Sequence, residues 1–159
     1  NIYRLLIKKE ITPPKYNIEE LVNKYPVKNI WLVYLGWLIS DNNISLPMTK
    51  KEQKIIDDYK ILISSDIQND LFEIYKCFEN KSKESILLYT ITTGKDYGLK
   101  YFEISNIKVA VNGNDLQALG INPSKKYSEC LDFILSEKLN NPEITKSEEL
   151  NLAKQFFGL

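Results

Sequence analysis

Apolar residues recur along this chain at helical spacing. Between positions 67 and 78 they fall at Ile67, Leu71, Ile74, Tyr75 and Phe78, which is one face of an amphipathic helix. From Thr49 to about Ile63 the apolar side is Ile55, Ile56, Tyr59, Leu62 and Ile63, and Lys50, Lys51, Lys54, Asp57 and Asp58 form the solvated side. Val27 to Ser40 is apolar nearly all round, through Ile30, Trp31, Leu32, Val33, Tyr34, Leu35, Trp37, Leu38 and Ile39. Such a helix belongs in the core, or else offers a face to a second copy of the chain. Gly36 within it allows a close helix crossing. Ser85 to Thr93 has strand propensity, but its helical surroundings predict a buried helix. Gly94 and Gly98 then bracket a loop or frayed end, Tyr101, Phe102 and Ile104 pack in a short helical turn, and Ile107 to Val111 reads as an extended, buried connector.

Helix starts and stops are written in short polar runs. Asn17-Ile-Glu-Glu20 and Thr49-Lys-Lys-Glu52 have the capping-box pattern, with Tyr16 and Leu21 at the staple positions around the first. Tyr25-Pro26 ends the helix that begins at Asn17. Asp66 is placed to cap the helix over 67–78, and Asp41-Asn-Asn43 and Asn80-Lys-Ser82 read as turns. At the beginning, Ile2 to Lys9 suits a short helix or a strand, and Thr12-Pro-Pro-Lys15 breaks it. The pattern as a whole predicts an all-α fold.

Composition narrows the function classes. With 159 residues, 43% of them hydrophobic, the chain can bury a real core as one domain or two small ones. Lys and Arg total 21, as do Asp and Glu, so the net charge is zero, which argues against a strong bulk footprint for nucleic acid. Cys77 and Cys130 lie far apart on apolar stripes and read as buried free thiols, fitting a reducing, cytoplasmic setting. The absence of histidine removes the commonest general base and metal ligand. The longest apolar run, Ile30 to Ile39, is about half of what a membrane span needs, so no membrane partner is expected. No signal peptide is visible, and because the chain starts at Asn1 it reads as a fragment or processed product.

The run Val111 to Tyr127 packs two helix starts and one helix stop. Asn112-Gly113 is a turn signal, and Asn112 or Asn114 can cap a short helix from Asp115 to Leu119. Asp115 in the first turn suits the helix dipole, and Leu116 and Leu119 point to the core. Gly120 stops that helix in the left-handed region, and Ile121 makes the apolar contact beyond it. Asn122 then caps a longer helix with Pro123 at its first position, and Tyr127, Leu131, Ile134, Leu135 and Leu139 form its buried stripe. Free amides near Ser124, Lys125 and Lys126, beside two ammonium groups, suit an anion such as phosphate. The plain alternative is a helix–turn–helix corner with ordinary capping.

The pattern Asn-Gly-x-Asp-Leu-x-x-Leu-Gly-Ile-x-Pro resembles the C-terminal region of class II tRNA nucleotidyltransferases, the bacterial CCA-adding and poly(A) polymerase-like enzymes. Gly113, Asp115, Leu116, Gly120, Pro123 and Leu131 carry the match. Ile144 to Leu150 is similar to that family's closing helix start, and Leu46 to Glu52 to a helix start in its body. Ser124, Lys125 and Lys126 replace the usual Gly-Pro and small residues, and Tyr127 or Ser128 stands where a glycine is common. The resemblance implies an N-terminal segment over 1–26, a helical body over 27–106 and a helical tail over 107–159. It implies tRNA or another RNA as partner. Gly113, Asn122, Ser124, Lys125, Lys126 and Tyr127 form the phosphate-contacting set, with Asp115, Leu116, Gly120 and Pro123 as structural motif positions. The family's catalytic head carries a Gly-Ser turn and an Asp-x-Asp pair for two metals, and no Asp-x-Asp occurs here. Asp57 and Asp58 are adjacent and diverge on a helix, and Arg4 is the sole arginine. The resemblance therefore implies no catalytic or metal-binding residue in this chain, with magnesium and CTP or ATP belonging to a head outside it. Two rivals stay open. One is a helix-hairpin-helix nucleic-acid module built on Leu119 to Pro123. The other is a helical protein-interaction domain that dimerises through the tryptophan helix, a reading the zero net charge favours.

Overall fold

The computed structural model describes residues 14–39, 47–122 and 125–159. The expectations for 1–13, the turn at 41–43, and positions Pro123 and Ser124 lie outside the described residues. Among the described residues there are nine α-helices and no strand, as the apolar periodicity predicts. They are α1 (Ile18–Lys24), α2 (Ile30–Ile39), α3 (Lys50–Ser64), α4 (Leu71–Phe78), α5 (Lys83–Thr93), α6 (Tyr97–Ile104), α7 (Gly113–Ala118), α8 (Lys126–Asn140) and α9 (Lys146–Phe157).

Short polar side chains set the helix starts. Asn17 accepts from the amides of Glu19 at 2.9 Å and Glu20 at 3.3 Å, and Glu20 takes the Asn17 side-chain amide rather than its backbone N–H. Thr49 and Glu52 make the full reciprocal box: the Glu52 N–H donates to the Thr49 hydroxyl at 3.3 Å, and the Thr49 N–H to the Glu52 carboxylate at 2.7 Å. That backbone bond, then the Thr49 hydroxyl bond, holds the Glu52 carboxyl below its ordinary range. The cap of α4 is Asp70, which accepts from the Glu73 N–H at 2.8 Å, and not Asp66. Ile67, only 2% exposed, is drawn into the core ahead of the helix, which delays its start.

The centre of the helical body is α5, where every residue from Glu84 to Ile91 is buried. It packs against α1, α2, α3 and α6. On one side Leu62, Ile74 and Phe78 gather around its Ile86, Leu88 and Tyr89, and on the other Ile18, Leu21, Val22 and Val33 around its Leu87 and Ile91. All-round apolarity predicts that central place for the tryptophan helix α2. Instead α2 buries Leu32 and Val33 and leaves Ile30, Trp31 and Tyr34 exposed at 43%, 44% and 38%. Its approach to α5 is close, since a Cβ on Gly36 would lie 2.6 Å from Leu88 Cδ2. Gly98 is not a loop residue either. It sits inside α6, where a Cβ would meet the Thr90 hydroxyl and lie 2.8 Å from Ile86 Cγ2.

Among the described residues of the body two carboxylates are buried. Asp58 is 5% exposed and pairs with Lys54 at 2.8 Å and Lys81 at 3.5 Å, which corrects its placement on the outer face of α3. Glu84 accepts from the N–H groups of Lys28 and Asn29, both at 3.1 Å, and so seats the chain just before α2. A buried carboxylate needs such partners, because its desolvation otherwise costs several kcal/mol, of the order of the loss when one partner of a buried pair is removed.

A third cluster joins α7, α8, α9 and the connector before them through Val111, Leu116, Cys130, Ile134 and Ala153. Helix α8 also packs on α4, with Lys76 and Asp132 paired at 2.8 Å; this hydrogen bond raises the Lys76 pKa. Cys77 and Cys130 are both free, and burial pushes both thiols up. No helix among the described residues is long and apolar enough to cross a membrane.

Candidate nucleic-acid interface

The corner between α7 and α8 is built from its capping groups outward. Asn112 is extended, and its side-chain oxygen accepts from the amides of Asn114 at 2.9 Å and Asp115 at 3.4 Å. Asp115 returns a carboxylate oxygen to the Asn112 N–H at 2.9 Å. The helix thus starts at Gly113, two residues before the expected Asp115, and Asp115 completes the box as its third residue. The other Asp115 oxygen pairs with Lys146 at 2.9 Å, tying the start of α7 to the first residue of α9. The Lys146 bond, then the Asn112 amide, holds the Asp115 carboxyl below its ordinary range.

At the far end of α7, Gly120 has φ 82°. Its N–H donates to Gln117 O at 2.9 Å, and the Ile121 N–H reaches back to Leu116 O at 3.3 Å. This is the paired bonding of a Schellman stop, with Leu116 fully buried beneath it. Among the described residues no atom lies within 4 Å of where a Gly120 Cβ would be, so the demand for glycine is conformational.

Regular helix resumes at Lys126, later than a start capped by Asn122 predicts. Lys125 is itself helical at φ −56° and ψ −27° and offers no capping side-chain bond, since lysine lacks a short acceptor. Cys130, Ile134 and Leu139 are the buried positions of α8, and Tyr127, Leu131 and Leu135 are half-buried. The Tyr127 ring lies against Gly113, whose Cβ would be 3.7 Å from Tyr127 Cδ2. The Tyr127 hydroxyl donates to the Ile121 carbonyl at 2.6 Å. Gly113, Ile121 and Tyr127 are therefore brought together as the inside of the corner. Asn122, Lys125 and Lys126 are exposed on its outside. Neither lysine makes an ion pair with a described residue. Two solvated ammonium groups on a braced corner can meet an anion at small conformational cost.

The group that holds this unit together is one that sequence reading passes over. Glu149 in α9 is fully buried. One carboxylate oxygen accepts from the N–H groups of Ala110 and Val111, both at 2.8 Å, and the other accepts from Lys138 of α8. A signal for it exists: Glu149 is four residues before Ala153 and shares its buried face, where a carboxylate requires partners. Among the described residues no group of three or more His, Cys, Asp or Glu side chains is placed to hold a metal ion.

The architecture is that of an all-α helical unit with a braced lysine corner. No family model matches the sequence, and no solved structure matches it. Over 86 residues the chain is 29% identical to the A-adding tRNA nucleotidyltransferase of Geobacter sulfurreducens, a match covering 51% of this chain and 10% of that protein. The chain thus spans about a tenth of the length of this curated relative. The likeness supports, at most, a distant relationship to tRNA nucleotidyltransferases.

Proposed function

We propose that this chain is a non-catalytic RNA-binding part of a tRNA nucleotidyltransferase-like protein, and that the α7–α8 corner meets the RNA backbone. The observation that carries the reading is the conjunction of that partial likeness with a corner braced by Asp115, Gly120 and Tyr127. Lys125 and Lys126 neutralise phosphates, with Asn122 and Ser124 beside them in sequence and Gly113 and Tyr127 shaping the surface behind. Such contacts follow backbone and shape and do not read bases, which suits a folded RNA such as tRNA. Nucleotide addition, with its magnesium and CTP or ATP, is assigned to residues outside this chain, and the setting is the cytoplasm, where tRNA is processed.

The test is tRNA binding by the chain with Lys125→Glu and Lys126→Glu together, against wild type, over a range of salt. The reading expects weaker binding and a shallower salt dependence. Equal affinity at low salt removes this corner from the account. A companion assay incubates the pure chain with tRNA, CTP, ATP and magnesium. No nucleotide incorporation is expected, and metal-dependent incorporation overturns the division of labour.

One observation favours a second reading, a helical protein-interaction domain: Ile30, Trp31 and Tyr34 of α2 are exposed together. That reading expects a concentration-dependent mass and no RNA binding.

A further inference from the structure

We propose that Glu149 is the positioning residue of the RNA-binding corner, acting through the backbone of the connector that leads into it. This inference rests on the reading of the corner given above. Three segments meet at this one carboxylate: the connector at Ala110 and Val111, helix α8 through Lys138, and helix α9, which carries Glu149 itself. Glu149 is fully buried, and the Lys138 side chain is only 13% exposed. Bonds to a buried charge are stronger and more directional than those between neutral groups. The two consecutive amides are caught by a single oxygen, which fixes the rotation of the connector as well as its position. Val111 is itself buried, and Asn112, the cap of α7, follows directly. The direction of α7, and hence the placement of Lys125 and Lys126 after it, is set from this point. The Asp115–Lys146 pair holds α7 to α9 from the outer side, where Lys146 is half exposed, so the buried latch is the stronger of the two ties. Glu84 uses the same device on the Lys28 and Asn29 amides ahead of α2, which shows that this chain seats incoming segments by a buried carboxylate in the first turns of a helix.

The test uses three forms of the 159-residue chain beside wild type, with an unmodified tRNA transcript as probe and amide hydrogen exchange at Ala110 and Val111 as second readout. Glu149→Gln keeps an oxygen for the two amides but turns an NH2 group toward Lys138. Glu149→Gln with Lys138→Met removes that clash and keeps the amide bonds. Glu149→Leu with Lys138→Met keeps apolar bulk between α8 and α9 and removes the latch. The Leu/Met form is expected to keep its helix content, to lose protection at both amides, and to bind tRNA about tenfold more weakly or worse. The Gln/Met form is expected to restore protection and bring affinity to within about threefold of wild type. A Leu/Met form that exchanges fast at both amides yet binds tRNA like wild type overturns the proposal, as does a Gln/Met form that regains protection without affinity. If Glu149→Gln alone does not fold, the two double variants still decide. The lysine reversal at 125 and 126 serves as control. It should lower affinity without changing exchange at Ala110 and Val111, and if it leaves affinity unchanged the RNA reading itself falls, whatever Glu149 does.

Discussion

Gly98→Ala should destabilise the helical body even though alanine is the better helix former. The propensity gain is about 1 kcal/mol in a helix interior and smaller at Gly98, the second residue of α6. Against it stands the packing with α5. The new methyl would meet the Thr90 hydroxyl, Ile86 Cγ2 at 2.8 Å and the Ile86 carbonyl oxygen at 3.1 Å. The last of these is backbone and cannot rotate away. Thr90 is constrained too, because its hydroxyl donates to that same carbonyl at 3.0 Å inside the core. Overpacking of this kind costs about 1–3 kcal/mol, so a net loss of about 1–2 kcal/mol is expected. Gly36→Ala is the internal control. The three nearest atoms belong to one side chain, Leu88, whose Cδ2 at 2.6 Å can turn aside, so a net change within about 1 kcal/mol is expected. Urea unfolding followed by far-ultraviolet circular dichroism reads both. With a slope of about 2 kcal/mol per molar urea, Gly98→Ala should lower the midpoint by roughly 0.5–1 M. A Gly98→Ala protein as stable as wild type, or more stable than Gly36→Ala, would refute the close crossing of α5 and α6.

Other expectations follow from the tail. Gly120→Ala should cost about 1–2 kcal/mol from the left-handed backbone alone, and Gly120→Asn less, because no described atom crowds the position. Equal urea midpoints for the two would contradict a purely conformational role. Acid should weaken the fold through Glu52, Asp115 and Glu148, whose carboxyls are held below their ordinary range by caps and, at Asp115, first by Lys146. A depressed folded pKa means the stabilisation is present above the unfolded value and is lost as pH falls through the folded one. The midpoint should therefore stay level near neutrality and fall from the ordinary carboxylate range downward, with a shallower fall for Asp115→Asn; a midpoint that rises on acidification contradicts this.

Local chemistry was legible in the sequence where one short segment contains both partners. The capping box at Thr49, the cap at Asn112 and the left-handed stop at Gly120 need only residues within a few positions of each other, and they appear in the structure, with the reciprocal bond from Asp115 to Asn112 added to what the sequence suggests. Partners distant in sequence were not legible. Asp58 looked solvated because Lys81 lies on another turn of the chain, 23 positions away. Glu149 does not stand out in the sequence because its amide partners lie 38 and 39 positions upstream. Gly98 looked like a breaker because its reason, Thr90 and Ile86 across a helix crossing, is tertiary. The uniform apolarity of α2 hid its exposed side, since periodicity cannot say which face of such a helix the neighbours cover. At the corner, the motif residues Asp115, Leu116 and Gly120 take the helix-ending roles their chemistry suggests. Tyr127, included in the contacting set, turns its hydroxyl inward to Ile121.

The central claim is that Lys125 and Lys126 meet RNA phosphates, and its most direct measurement is tRNA affinity of the wild-type chain and of the Lys125→Glu, Lys126→Glu form across a salt series. Each phosphate contact contributes about 0.7–0.9 to the slope of log affinity against log salt, so losing two should flatten the slope by about 1.5 and weaken binding most at low salt. Superimposable lines for the two proteins would contradict the account.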